Sequence, residues 1–111
     1  MVIETKPIRY YEARAEVAKA LSHPSRLMIL EALSERERCV CELTELVGAD
    51  QSTVSKHLAI MRNVGLLETR KEGAQVYYRP RIKCLNGFFQ CVEMVLRERW
   101  EADKVGVGDR E

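Results

Sequence analysis

The sequence contains no apolar run approaching the roughly 18 residues that a membrane-spanning helix needs. Its first residues, MVIETKPIRYYEARAE, lack the apolar core of a secretory signal peptide. Repeats and low-complexity tracts are also absent, and 46% hydrophobic with 32% charged residues is ordinary for a soluble globular protein. We therefore expect a cytoplasmic protein that folds as one domain over residues 1–111.

The patterns of known catalytic sites are missing. His23 and His57 are the only histidines, and no Ser/His/Asp set, glycine-rich phosphate loop or metal-hydrolase motif is present. Thiol oxidoreductases generally use a C-x-x-C motif near a βαβ pattern, and neither occurs here. The sequence therefore predicts that the protein is not an enzyme.

A large net charge is lacking as well, because the chain carries only +1. The basic residues are nevertheless gathered in one segment. Residues 51–83 hold seven basic and two acidic side chains, a net +5, whereas residues 1–50 and 84–111 each carry −2. Such a segment is either a solvated face or a phosphate-binding surface. The fold predicted for residues 51–83 distinguishes between the two.

Apolar periodicity predicts a mainly helical chain. Helices are expected over residues 10–22, 23–35, about 41–47, 51–65 and about 82–104. Pro24 suits the first position of the second helix, Gly48 is expected to end the third, and Ser52 can cap the fourth. Residues 66–71 and 75–79 are rich in β-formers and flank Gly73, which indicates a hairpin.

The third and fourth helices form a helix-turn-helix over about 41–64, and the hairpin at about 66–79 makes it a winged helix-turn-helix, a mainly α fold with a small β-hairpin. The outer face of the fourth helix is small and hydrogen-bonding, which suits the major groove of double-stranded DNA. The expected DNA-binding residues are Gln51, Ser52, Thr53, Ser55, Lys56 and His57, with Arg62, Arg70, Lys71 and Arg79 on phosphates. Val54, Leu58 and Met61 form the apolar inner stripe of this helix. His57 lies beside that stripe, so packing is the alternative for it.

Three segments, LSHPSRLMILEAL, CVCELTELVGADQSTVSKHLAIMRNVGLL and RKEGAQVYYRP, resemble the arsenic and antimony branch of the ArsR/SmtB family of metal-responsive repressors. The resemblance covers about residues 15–80. It implies a winged-helix homodimer whose first and last helices form the interface. It also implies a repressor that leaves its inverted-repeat operator when inducer binds. Independently, the last helix has a broad apolar stripe ending at Trp100, typical of a dimerising helix or of ordinary core.

Cys39 and Cys41 are the expected metal ligands, because As(III) and Sb(III) are soft ions and thiolates are soft ligands. Residues i and i+2 lie about 200° apart around an α-helix, whereas they share a face of an extended chain. Binding one ion through both cysteines therefore favours a non-helical backbone here. We expect that inducer binding distorts the start of the helix ahead of the recognition helix.

The family pattern at this point is C-x-C-x-x-C, and Thr44 stands where the third cysteine would be. Two thiolates then suffice, or Cys84 supplies a third. Cys91, at the edge of the apolar stripe, is expected to be packing. The zinc-type site of the family is not expected, since the last helix has no histidine.

Two other functions stay open at this point. One is a repressor that senses oxidants or reactive sulfur by pairing Cys39 or Cys41 with Cys84 or Cys91. The other is a soft-metal-binding protein with no DNA role, which the local +5 charge disfavours.

Overall fold

The computed structural model describes residues 3–106, so residues 1–2 and 107–111 of the predicted domain lie outside it. The helices are α1 (Ile8–Ala20), α2 (Pro24–Glu35), α3 (Val40–Val47), α4 (Gln51–Asn63) and α5 (Leu85–Gly106). The strands are β1 (Arg38–Cys39), β2 (Leu67–Glu72) and β3 (Gln75–Pro80). The predicted mainly α, winged helix-turn-helix fold is confirmed. Within residues 3–106 no helix is both long and apolar enough to cross a membrane.

The turn between α3 and α4 is built by two local signals. Gly48 ends α3 with a φ of 76°, and its N–H donates to the Thr44 carbonyl at 3.0 Å. Asp50 then caps α4, since its Oδ1 accepts from the Thr53 N–H at 2.8 Å. The expectation that Ser52 is the cap was wrong, because the helix begins at Gln51 and Ser52 already lies in its first turn.

The sheet has one strand more than the sequence predicts. The hairpin of β2 and β3 turns at Gly73, which has a φ of 62°. On the other side of β3, the two-residue strand β1 pairs antiparallel, with Arg38 opposite Tyr78 and Cys39 opposite Tyr77. A strand of two residues is too short to show periodicity. Its consequence is that Cys39 belongs to the sheet of the wing.

The last helix also begins later than predicted, at Leu85 rather than at about 82. The backbone N–H of Arg81 donates to the Leu66 carbonyl at 2.8 Å. This bond keeps the chain alongside β2 just beyond Pro80, and so delays the helix.

The core lies between α2, α3, α4 and the base of the wing. Its buried residues are Ala20, Ile29, Leu30, Leu33, Leu43, Val54, Leu58, Met61, Leu66, Leu67 and Leu85. The inner stripe predicted for α4, at Val54, Leu58 and Met61, is confirmed, and all three side chains are fully buried. Because these residues anchor α4 on one side, its opposite side is left facing outward.

The apolar faces of α1 and α5 are not covered within the described part of the chain. On α1, Ile8 is 72% exposed, and on α5 Val95 and Trp100 are 56% and 62% exposed. Large apolar side chains gathered on one face of a helix in a small monomer are seldom left so open. The start of the α5 stripe is ordinary core, since Leu85 is buried and Phe89 packs against the core, but its later part, at Val95 and Trp100, is not covered by the single chain.

His57, predicted as a DNA-binding residue beside the inner stripe, does not reach the outer face of α4. It is only 8% exposed, and its Nδ1 accepts a hydrogen bond from Arg26 Nε at 3.0 Å. Its ring lies 4.5 Å from that of His23, centroid to centroid. The next residue, Leu58, belongs to the inner stripe, and His57 turns inward with it. This burial favours the packing alternative for His57 over a contact with DNA.

This burial makes the fold sensitive to mild acid. Burial holds the pKa of His57 below its ordinary value of 6.5, and the charges of His23 and Arg26 lower it further. The unfolded chain therefore takes up a proton on His57 near pH 6.5, and the folded chain only at lower pH. The stabilising contribution is complete above pH 6.5 and is lost as the pH falls through the folded-state pKa.

We predict that the free energy of unfolding falls as the pH is lowered from about 7 to about 5.5. His57→Gln, whose amide can still accept a hydrogen bond from Arg26, should show a flatter dependence. Urea denaturation at stepped pH measures both slopes. Glu37, Glu42 and Asp50 have lowered carboxyl pKa values, so they titrate below this window. Equal slopes for the two proteins would contradict the assignment.

Candidate functional site

The outer face of α4 presents a row of short polar side chains and one lysine. Gln51, Ser52, Thr53, Ser55 and Lys56 are all exposed. The Ser52 hydroxyl donates to Asp50 Oδ1 at 3.0 Å, so it is held toward the start of the helix. Hydrogen bonds from Thr53 and Ser52 lower the pKa of Asp50, which stays ionised. The face combines a helix of 13 residues with side chains small enough for close approach to a groove.

The wing arginines are already paired with carboxylates. Arg70 Nε donates to Glu37 Oε1 at 2.9 Å, and its Nη1 lies 2.6 Å from Glu72 Oε1. Arg79 Nε donates to Glu68 Oε2 at 2.8 Å, and its Nη1 to Glu37 Oε2 at 3.3 Å. The hydrogen bond from Arg70 is the main cause of the lowered pKa of Glu37. The sequence count of +5 for residues 51–83 omits Glu37, which lies outside that segment.

The other two basic residues proposed for phosphates are differently placed. Lys71 near the tip of the hairpin and Arg62 in the last turn of α4 are exposed. Neither takes part in a salt bridge among the residues that the structure describes. Lys71 and Arg62 therefore carry positive charge that has no local competitor.

One face of the three-stranded sheet aligns the cysteine segment with the wing. Cys39 is opposite Tyr77 on β3, and Tyr77 is opposite Arg70 on β2. Residues directly opposite each other in antiparallel strands have their side chains on the same face. The Arg70 guanidinium carbon lies 5.0 Å from the centre of the Tyr77 ring. A thiol, an aromatic ring and a guanidinium thus occupy one row across the sheet.

Cys39 occupies the junction between β1 and α3. Its backbone is extended, with φ −90° and ψ 171°, and it is the N-cap residue of α3. Cys41 is the second residue of that helix and is exposed. The expectation of a non-helical backbone at this pair therefore holds for Cys39 and not for Cys41. An ion bound by both thiolates would have to draw together a strand residue and a helix residue.

A carboxylate holds this junction in place. The Cys39 N–H donates to Glu42 Oε1 at 3.1 Å, and Glu42 Oε2 accepts from Arg36 Nη2 at 2.9 Å. The hydrogen bond from Arg36 is the largest cause of the lowered pKa of Glu42, followed by that from the Cys39 backbone. Glu42, which lies in the first turn of α3, thus ties that turn to the backbone of Cys39.

The third ligand is not assembled in the single chain. Cys84, just before α5, and Cys91, within it, are both exposed. The described residues contain no group of three His, Cys, Asp or Glu side chains arranged to hold a metal. Thr44 stands one helical turn after Cys41, and its Oγ1 is buried without a hydrogen-bond partner. The residues of the CVCEL segment therefore offer two soft donors.

Two residues of this site were missed from the sequence. Glu37 binds both wing arginines and Glu42 binds the Cys39 amide, and neither is among the residues predicted from the sequence. For Glu42, the spacing of three residues from a helix start is a recognisable capping signal. For Glu37, the only signal in the sequence is its position two residues before Cys39, a spacing that places two side chains on one side of an extended chain.

Comparison with known proteins places the chain in a family. Residues 23–69 match the model of the arsR family of bacterial regulatory proteins. An uncharacterized HTH-type transcriptional regulator of Methanocaldococcus jannaschii is 42% identical over 69 residues, which cover 61% of this chain and 78% of that protein. The biofilm growth-associated repressor of Xylella fastidiosa is 43% identical over 65 residues, covering 59% and 57% of the two chains. For several other curated relatives, the matched part spans 48% to 66% of their length.

A solved structure agrees with this assignment over nearly the whole chain. The homodimeric winged helix-turn-helix DNA-binding domain of a possible ArsR-family regulator from Mycobacterium bovis superimposes with a TM-score of 0.75. It is 31% identical, and the match covers 91% of this chain and 94% of that one. The chain therefore belongs to the ArsR family of bacterial regulatory proteins, as a DNA-binding transcriptional repressor of the ArsR/SmtB type.

Proposed function

We propose that the chain acts as a homodimer on operator DNA and is released when arsenite or antimonite binds the thiolates of Cys39 and Cys41. The observation that carries the proposal is the position of Cys39. It is at once a strand residue paired with the wing and the N-cap of α3, the first helix of the helix-turn-helix. Movement at this residue acts directly on the wing and on α3, the helix that packs against the DNA-contacting helix α4.

The DNA surface of the proposal consists of the exposed face of α4 and the wing. Gln51, Ser52, Thr53, Ser55 and Lys56 lie in the major groove, where hydroxyl, amide and ammonium groups reach base edges and phosphates. Arg62 and Lys71 bind phosphates, and Arg70 and Arg79 do so once they leave their carboxylate partners. Homodimerisation through the uncovered faces of α1 and α5 places two such surfaces on one inverted repeat.

The inducer chemistry follows from the donors. Thiolates prefer soft ions, and the segment offers two of them. Cys39 is extended and Cys41 is helical, so one ion held by both has to unwind the first turn of α3 or pull β1 from the sheet. Either change competes with the Glu42 bond to the Cys39 amide. The dimer then loses the spacing that its operator requires.

A thiol-based redox or reactive-sulfur sensor is the second candidate. Its support is that all four cysteines are free, with Cys41, Cys84 and Cys91 exposed. In that mechanism an oxidant takes two electrons and joins Cys39 or Cys41 to Cys84 or Cys91 in a disulfide. We further propose a cytoplasmic location, where thiols stay reduced until they are challenged. A non-catalytic role fits membership of a DNA-binding regulator family.

We expect Lys56→Ala to weaken DNA binding, because a charge facing the duplex is removed. The slope of log affinity against log salt should become shallower by about 1 for each phosphate that the variant no longer neutralises. Fluorescence anisotropy with a duplex selected by the protein from a random pool measures both quantities, and mass spectrometry measures arsenite uptake. Arg97→Ala, which removes a charge from an exposed position on α5, is the matched control. Equal slopes for Lys56→Ala and the wild type would exclude a phosphate-binding role for Lys56.

We expect Cys39→Ser and Cys41→Ser to bind the same duplex with wild-type affinity but to remain bound when arsenite frees the wild type. Serine keeps the size of the side chain and removes the soft donor. Cys91→Ser is the control that should release normally, and Cys84→Ser reports whether that residue is the third ligand. Release by oxidant or polysulfide but not by arsenite would favour the redox candidate. Normal arsenite release from both segment variants would remove the proposed sensor site.

Thr44→Cys should make the repressor more sensitive to arsenite. Cysteine is close to threonine in size, and the substitution removes a buried hydroxyl that has no partner. It also adds a third thiol one helical turn from Cys41. The arsenite concentration that releases half of the DNA should fall about tenfold, as expected if one more thiolate improves binding by roughly 1.4 kcal/mol. Thr44→Ser is the control, and equal release curves for the two variants would show that residue 44 does not face the ion.

A further inference from the structure

A single carboxylate bridges the two strands of the wing. Glu37 Oε1 accepts from Arg70 on β2, and Glu37 Oε2 accepts from Arg79 on β3. The Nη2 of Arg70 also lies 2.8 Å from Glu37 Oε1. No other carboxylate in residues 3–102 pairs with both arginines, since Glu72 reaches only Arg70 and Glu68 only Arg79. Glu37 therefore sets the position of both guanidinium groups.

The cluster formed by these two arginines and three glutamates has a net negative charge. Two arginines are paired with three carboxylates, so these five side chains together carry a net charge of −1. The pairs are on the surface, with 40% of the Arg70 side chain and 44% of the Arg79 side chain exposed. Exposed pairs of this kind exchange partners at low cost. A phosphate that approaches the wing thus competes with Glu37 for the same N–H donors.

Glu37 is also linked to the cysteine segment. It lies two residues before Cys39 and immediately precedes β1, and its carboxylate accepts from Arg70. On one face of the sheet, Cys39 is in one row with Tyr77 and Arg70. Displacement of β1 at Cys39 necessarily shifts the carboxylate relative to the two arginines.

We propose that Glu37 competes with DNA phosphates for Arg70 and Arg79, and that it is the positioning residue through which a change at Cys39 alters the affinity of the wing for DNA. The second half of the proposal rests on the sensor function proposed above. The first half concerns the protein without inducer. Glu37 thereby weakens binding to any duplex and leaves sequence recognition to α4.

The test compares Glu37→Gln with Glu35→Gln in the reduced dimer, without arsenite. Glu35 is the matched control, because it is the last residue of α2, two residues before Glu37, pairs with Arg38 at 3.1 Å and touches neither wing arginine. Both variants add the same charge. We expect Glu37→Gln to bind the selected duplex about two- to tenfold more tightly near 0.1 M salt. Its salt dependence should be steeper by about 1 for each additional phosphate that the freed arginines bind, and that of Glu35→Gln should change less.

A double-mutant cycle separates this competition from a general charge effect. In an Arg70→Gln/Arg79→Gln background, Glu37→Gln is expected to change neither the affinity nor the salt slope. Glu37→Asp, whose shorter side chain cannot span both strands, should give an intermediate result and serves if Glu37→Gln does not fold. Equal effects of Glu37→Gln and Glu35→Gln, or a Glu37→Gln effect that persists without the arginines, would overturn the competition.

The link to Cys39 has its own readout. The ratio of DNA affinities without and with arsenite should fall in Glu37→Gln and stay at the wild-type value in Glu35→Gln, because only Glu37 draws the arginines away from DNA. An unchanged ratio in Glu37→Gln would overturn the link. If arsenite has no effect on the wild type, the proposed inducer fails while the competition measured without arsenite still stands.

Discussion

The antiparallel pairing of Arg38 and Cys39 with Tyr78 and Tyr77 is the contact on which the rest of this structure depends. Two residues of β-structure join the start of the helix-turn-helix to the wing. Without them, α3 and the hairpin would be linked only through the core, and a change at the cysteines would reach the wing indirectly. With them, the thiol of Cys39, the Tyr77 ring and the Arg70 guanidinium lie in one row, and Glu37 and Glu42 fix the segment from either side.

The electrostatics of the protein differ from those of a uniformly basic DNA-binding domain. The exposed charges of Lys56, Arg62 and Lys71 are available to phosphates, whereas those of Arg70 and Arg79 are shared with carboxylates. A net charge of +1 is consistent with this balance. When DNA affinity depends on a few unpaired lysines and arginines, it is easier to switch off than when it depends on a large positive field. The reason is that pairing one basic side chain with a carboxylate, or releasing it, then changes a larger share of the attraction to phosphates.

The sequence predicted the parts of the fold that repeat over several turns. The inner stripe of α4 and the glycine at the end of α3 followed from periodicity and capping chemistry, and the polar face of α4 is exposed as expected. Features set by tertiary contacts were not predictable. The contacts that hold His57 inward come from Arg26 and His23, which lie on and just before another helix. The strand β1 depends on pairing with a strand far along the chain, since Cys39 pairs with Tyr77, 38 residues later. The pairing of Glu37 with the wing likewise depends on that long-range register.

In the proposed mechanism, occupancy of the Cys39 and Cys41 thiolates and occupancy of the DNA surface oppose each other. Thermodynamic linkage tests this opposition most directly, through the dissociation constant for DNA with and without saturating arsenite and that for arsenite with and without saturating DNA. We expect each ligand to weaken the binding of the other by the same factor, about tenfold or more. Arsenite that binds free and DNA-bound dimer with equal affinity would contradict the mechanism.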